Sequence, residues 1–451
     1  MHYQTHSIHS SKNIRPLAVS AGALFAGLVL TFAPVTLAKD PPAKKAAPPA
    51  DREWETKIEP RSPDAAVRVG FEYLLKQQQS DGGWGQGGGW RQSHDQQGSR
   101  VEGANVEDPA DLGNTCVSLV ALLRGGDSPA EGAHREAARK AFEFICGQVE
   151  RADDASLYVT AVRDTQLQVK IGTYVDTFLA GWALSELKGK LADEGAEKRR
   201  AAALDKVMAK IERNQKDDGS FADNKGWAAV LSQGLASKAL NSAARSGAKV
   251  SARALDNDQR QNTDGLDLAK GDFSAAAGAA EPSSAGVSIY REAAKLSGLN
   301  ERTKSNVSRK AEAEKKLAEA SVPAAEKDKA RADLKQVADD EKASQVAQQA
   351  VAAKLSDTRY TAGFGNNGGE EFLSYLNLGE SLRERGGKEW NDWKGKMQAT
   401  LCSAQNADGS WAGQHCITGR TFCTSAALLT LLVERAPAVA ANAKDTPDPK
   451  K

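Results

Sequence analysis

Residues 405–432 read QNADGSWAGQHCITGRTFCTSAALLTLL. The stretch contains a helix end, a polar turn, a tryptophan, a His-Cys pair and then an apolar run spaced as a helix. Its first seven residues recur twice in the chain, as QQSDGGW from Gln78 to Trp84 and as QKDDGSF from Gln215 to Phe221. A motif repeated at such distances marks a recurring structural unit before it marks a catalytic one.

Each copy ends an amphipathic segment: VRVGFEYLLKQQ, LDKVMAKIERNQ and WKGKMQATLCSAQ space their apolar residues by three and four, as a half-buried helix requires. Asp81-Gly82, Asp218-Gly219 and Asp408-Gly409 then stop the helix, because glycine accepts the left-handed conformation and aspartate caps its own turn. The aromatic that follows (Trp84, Phe221, Trp411) can pack back beneath the turn and staple it. A second pattern lies downstream: TCVSLVAL from Thr115, TFLAGWAL from Thr177 and TFCTSAAL from Thr421 are apolar on nearly every side, as expected of helices enclosed by other helices. Residues 226–240 and 370–382 are looser copies.

The unit is therefore an outer amphipathic helix, a polar turn and an inner apolar helix. Five pairs are predicted: 64–78 with 110–124, 134–150 with 172–188, 198–215 with 226–244, 284–298 with 368–384, and 389–404 with 419–435. The expected class is all-α, an α/α toroid of about five to six helical hairpins, with the inner N-termini gathered on one face around a central cavity. Residues 300–357, rich in Ala, Lys and Glu and divided by Pro323, read as an inserted helical hairpin or coiled-coil arm. Residues 247–283 show no periodicity and read as a long loop. The toroid is thus expected over 64–299 and 358–436.

The Q-x-x-D-G-[GS]-W turns resemble the QW repeats of the squalene-hopene cyclase, terpene cyclase and protein prenyltransferase superfamily, and the Thr-to-Ala-Leu segments resemble its inner helices. The likeness spans residues 64–245 and 364–435 and implies the toroid fold. The activities it implies can be checked against this chain. Class II cyclases carry an Asp-x-Asp-Asp acid motif; the nearest match is Asp111-Leu112-Gly113-Asn114-Thr115, where the proton-donor position is Gly113. Protein prenyltransferases hold zinc with an Asp two residues before a Cys, and Thr421 stands at that place before Cys423. A thioester domain needs Cys-Gly-Glu-Gln, and the corresponding Gly368-Gly369-Glu370-Glu371 has neither thiol nor amide.

At the N-terminus Lys12 and Arg15 precede an apolar run from Leu17 to Phe32, with small residues at Thr36-Leu37-Ala38. Residues 1–38 read as a cleaved secretory signal, the alternative being an uncleaved membrane anchor. Residues 39–63 are a Pro/Ala/Lys-rich linker and 437–451 a disordered tail. A periplasmic or secreted protein can form disulfides. Of five cysteines, Cys402 and Cys416 are expected to pair, since each lies at the same end of a hairpin; Cys116 with Cys423 is a second option. No cofactor is expected. The alternative is a zinc ion at His415, Cys416 and Cys423, with Asp176 as a further ligand.

A formal charge of +1 and no basic face with interleaved aromatics set nucleic acid aside. Asn114, Asp176 and Arg420 each precede a marker threonine, so they are placed on the inner rim as ligand-binding candidates, with Tyr174, Trp182 and Tyr375. The competing reading makes them helix caps. The first functional expectation is a binding or scaffold module for an apolar small molecule, a peptide or a protein partner. The second is an enzyme using Asp111, Asp176 or Glu371 as acid or base.

Overall fold

The structure is a computed structural model that describes residues 58–88, 107–274, 284–366 and 368–437. The segment read as a secretory signal, residues 39–57 of the expected linker and the tail beyond residue 437 lie outside the described residues. Among those described, thirteen α-helices carry the fold, so the expected all-α class holds. They are α1 (Pro63–Gln77), α2 (Leu112–Gly125), α3 (Arg135–Arg151), α4 (Gln166–Lys170), α5 (Val175–Glu186), α6 (Glu194–Asn214), α7 (Ala229–Arg245), α8 (Ala252–Thr263), α9 (Ser288–Ala318), α10 (Ala324–Lys354), α11 (Gly369–Arg385), α12 (Gly387–Ala404) and α13 (Arg420–Leu431). One antiparallel ladder of two residues per strand joins Leu266–Asp267 to Asp272–Phe273. No helix among the described residues is long and apolar enough to cross a membrane.

Six helices touch in cyclic order: α2 packs on α5, α5 on α7, α7 on α9, α9 on α11, α11 on α13, and α13 back on α2. They are buried on nearly every side for that reason; α2 buries every residue from Leu112 to Arg124. Six longer-faced helices lie outside them: α1 against α13, α3 against α2, α6 against α5, α8 and α10 against α9, and α12 against α11 and α13. These show the one-sided stripe of a surface helix, as in α12, which buries Trp390, Trp393, Met397 and Leu401 at steps of three and four.

The Q-x-x-D-G turns join one outer helix to the next. After α12, Trp411 Nε1 donates to Leu401 O (2.8 Å) and fixes the aromatic beneath its own helix, while Gln405 Nε2 donates to Gly409 O and to Ala66 O of α1 (both 2.9 Å). Gly409 has φ +92°, and a Cβ there would meet Val69 O at 2.4 Å, so the backbone of the turn lies directly on α1. After α1 the same set recurs: Trp84 Nε1 to Leu74 O (2.7 Å), and Gln78 Nε2 to Gly82 O and to Ala137 O of α3 (both 2.9 Å). The third copy differs. Phe221 has no N–H to donate, and the link to α8 runs the other way, from Asn257 Nδ2 to Lys216 O (3.1 Å). Thr115 Oγ1 accepts from Trp84 N (3.0 Å), and the hydroxyl with that role at Trp411 N is Thr424, not the expected marker Thr421.

The expected central cavity is filled. Ser118, Ser232, Glu371, Ser374, Thr424 and Ser425 on the inner helices have no accessible surface. Charge bridges the inner helices toward their C-terminal halves: Arg124 of α2 pairs with Glu186 (2.7 Å) and reaches Glu380 of α11 (3.8 Å), and Lys238 of α7 pairs with the same Glu380. Glu301 of α9 takes Lys304 (3.2 Å) and Arg245 (2.6 Å), and Lys304 also meets Glu384 (3.3 Å). Burial raises the Glu380 carboxyl, but the attraction of Lys238, Arg124 and Lys304 outweighs it and holds the group below its ordinary range.

Two expectations of organisation are corrected. Residues 252–263, read as loop, form α8, and residues 288–298 of the segment read as the fourth outer helix open the inner helix α9, buried from Ile289 to Arg302. The arm expected at 300–357 does not begin at a boundary: α9 runs through residue 300 without interruption, and α10 returns along it as an outer helix, burying Ala343, Ala347, Ala350 and Val351.

Trp411→Ala should lower the stability of the described domain by about 3–5 kcal/mol in urea unfolding, because the truncated ring leaves a cavity under the turn. Glu380→Gln should cost about 3–5 kcal/mol in the same assay, since Lys238 and Arg124 keep their charges without their shared partner.

Candidate functional site at the mouth of the ring

The inner-helix N-termini converge on the five-residue helix α4, begun by Thr165 with Gln168 in a reciprocal capping box. Gln166 Oε1 accepts from Thr418 N and Gly419 N (both 3.0 Å) just before α13, and Gln168 Nε2 donates to Asp176 at the start of α5. Lys170 O accepts from Ala228 N (2.7 Å) at the start of α7. Gln166, Leu167, Gln168 and Lys170 are all buried, so α4 stops the mouth.

Beneath α4 sits a buried carboxylate pair. Asp111 caps α2, accepting from Asn114 N and Asn114 Nδ2 (both 2.8 Å), while Asp176 begins α5. Asp111 is 4 % and Asp176 3 % exposed. Burial pushes Asp111 up to about 7, helped by repulsion from Asp176, and burial pushes Asp176 up to about 6 against the pull of the Gln168 amide. Two such groups titrate as a unit, and the pair keeps a proton to higher pH than an exposed aspartate would. The Cys116 thiol one turn further into α2 is raised by burial and then by both carboxylates, which keeps it neutral. A Cβ on Gly113 would lie 2.5 Å from Asp176 Oδ1, so Asp176 fills the space a side chain at 113 would need.

A second cluster flanks α4 on the α11 side. Glu371 accepts from Tyr375 Oη (3.2 Å), and Tyr290 of α9 is held far above its ordinary range by burial and by Glu370 and Glu371. Glu370, His415 and Cys416 place one donor atom each within 4.8 Å of one another. This differs from the expected metal set. Cys423 points its thiol at Ile417 O (3.7 Å) and Asp176 belongs to the carboxylate pair, so Glu370 takes the place expected of Cys423.

The predicted disulfide is not formed: none of the five cysteines is bridged, with Cys402 on the buried face of α12 and Cys416 in the Glu370 cluster. The second option fails as well, Cys116 lying by the carboxylate pair and Cys423 by Ile417. Among the predicted ligand residues, Asn114 is spent on Asp111, and Arg420 binds Asp408 (2.7 Å) and Gly87 O (3.2 Å). Trp182 donates to Glu186 (3.1 Å) and lies under Lys238, with 4.7 Å from Nζ to the ring centroid. Tyr375 is enclosed by Phe364, Phe372 and Trp393. Tyr174, like Arg420, stays partly exposed, its ring tilted against Tyr158 at 5.0 Å between centroids. His134, 41 % exposed, pairs with Asp127 (2.8 Å). The residues that the sequence did not single out are Gln166, Gln168 and Glu370; only the Thr165-x-x-Gln168 capping pattern could have pointed to the first two.

No known protein family model matches the chain, and no curated protein is significantly similar to it.

The carboxylate pair gives a pH signature. The folded state keeps its proton above the ordinary aspartate value of 3.8 and up to about 7, so it binds more protons than the unfolded chain across that window and loses stability as pH rises through it. Asp111→Asn should flatten this decline between pH 4 and 7 in urea midpoints; an unchanged slope would place the titration elsewhere.

Proposed function

We propose that this chain is an exported ring protein of the cyclase and prenyltransferase repeat class that works as a binding or scaffold module and not as a polyene cyclase. The observation that carries this reading is at residue 113. The acid that would start a cyclisation is a glycine there, and its space is taken by Asp176. A polyene would need an open, apolar hub, and the hub holds Arg124, Lys238, Glu186 and Glu380 instead.

The surface offered for binding is a cleft of about 690 Å³ between α9, α10 and the C-terminal end of α11. Thr303, Lys310, Glu314, Glu341, Gln348 and Arg385 are among the residues that line it. Both charge signs and several amides in an extended groove suit a peptide segment better than an apolar small molecule. The zipper of α9 with α10 keeps the groove rigid, since Arg302 binds Asp340 (3.0 Å) and Arg309 binds Asp333 (2.5 Å) across it. A second reading, an acid-base enzyme, is favoured by one observation only, the buried carboxylate pair beside Cys116, both of whose groups burial holds above the ordinary aspartate range.

Selection from a random peptide library on the full chain should enrich mixed-charge peptides whose binding falls at least about tenfold in the double variant Lys310→Glu/Glu341→Lys, which reverses both charges lining the groove while keeping their mutual pair (3.7 Å). The same protein should leave linear polyenes and prenyl diphosphates unconverted. Cyclised product that disappears in Asp111→Asn or Asp176→Asn would contradict the binding-module reading and support the enzyme.

A further inference from the structure

The Glu370 cluster has features that neither the ring nor the groove explains. Glu370 is 2 % exposed, its Oε2 accepts no hydrogen bond, and its Oε1 stands 3.6 Å from His415 Nδ1. A buried carboxylate oxygen left without a donor is unfavourable unless something absent from the protein's own atoms completes it. Cys416 adopts a left-handed backbone, φ +54°, which a non-glycine residue holds only where its surroundings force it. That conformation sets its thiol beside Glu370. Gly368 makes room on the other side: a Cβ there would meet His415 Cε1 at 2.4 Å. The imidazole is 39 % exposed, which leaves the cluster a path to solvent.

The charge around the cluster is unbalanced. The adjacent carboxylates Glu370 and Glu371 both bear on Cys416, and Lys170 attracts it in the opposite sense.

We propose that Glu370, His415 and Cys416 form a three-ligand site for a single divalent cation of the zinc class, with a fourth position open on the solvent side of His415. One carboxylate, one thiolate and one neutral imidazole balance a dication, and the S, N and O donor set selects zinc over magnesium or calcium, which take oxygen alone. Donor atoms around tetrahedral zinc lie roughly 3.5 Å apart, so atoms now within 4.8 Å need an inward shift on the order of 1 Å. Binding forms the metal–sulfur bond as the Cys416 S–H gives its proton to solvent, so one proton is released per metal bound. The inference does not depend on the peptide groove, which lies at the opposite ends of α9 and α11 from Glu370.

The test uses the full chain, purified under reducing conditions. Titration with Zn²⁺ against a chromophoric chelator should show one site and release of one proton, and Co²⁺ should give the charge-transfer absorption of a metal thiolate. Cys416→Ser should abolish that absorption. His415→Ala, at a half-exposed position whose loss leaves the fold intact, should weaken zinc by more than the roughly 10- to 100-fold that outer-shell losses produce, and Glu370→Gln should do the same. Failure of the wild-type chain to compete with the chelator would overturn the proposal. So would zinc affinity unchanged in both His415→Ala and Cys416→Ser, which would place the metal elsewhere. Retained peptide binding in these variants would leave the groove reading standing in either case.

Discussion

The rest of the architecture depends on one interaction, the side-chain amide of a turn glutamine reaching the backbone of the next outer helix. Gln405 closes its own turn through Gly409 O and in the same geometry binds Ala66 O, 339 residues earlier in the chain. Arg61 adds to this closure by donating to Gln405 Oε1 (3.0 Å), Asn406 O (3.1 Å) and Ala407 O (2.9 Å). A ring of helices has no edge to leave open, so the last hairpin has to find the first; here the repeat's own turn does so. Each tryptophan staple then serves two ends, holding the turn under its helix and presenting the turn's backbone to the neighbour. Glycine is required at the contact because any Cβ would strike the carbonyl it packs on.

The buried charges fix what the ring can hold. Apolar side chains would have left an adaptable cavity along the axis, whereas Arg124, Lys238 and Glu380 tie helices that are not neighbours in the ring. Such pairs return little net stability against their desolvation, but any arrangement that separates them is strongly disfavoured. The hub is therefore specified as closed, and the two candidate sites lie away from it: the mouth under α4, with its carboxylates and the Glu370 cluster, and the groove along α9 and α10.

Sequence periodicity revealed the parts of this fold built from apolar faces and missed those built from polar ones. The turns at Trp84 and Trp411 and the helices around them were legible because their stripes of large apolar residues repeat by three and four. Helix α8 was not, because the face it buries is mostly polar: Asp258 and Asn262 bond to Ser237 and Asn241 of α7, and Asn257 to Lys216 O. A polar interface of this kind carries no hydrophobic period. The α9–α10 hairpin looked foreign for a related reason: its contact is lined by alanines, small enough for close packing but too weak to register as a core stripe. At the site, Asp111 and Asp176 were named as acids, but their pairing lay in the meeting of two helices 50 residues apart. Cys416 was named and given the wrong partner, since position along the hairpin says nothing about the direction its left-handed backbone imposes.

Native-state hydrogen exchange across residues 405–411 is the most direct test of closure by the turn. If Gln405 and Trp411 lock the last hairpin to α1, the amides of Asn406 and Trp411, which donate to Ser410 O and Thr424 Oγ1, should exchange only through global unfolding, with the protection of α2 and α13. Exchange of these amides at the rate of a fraying loop, while α2 and α13 stay protected, would show that the ring holds together without the turn and would contradict the account.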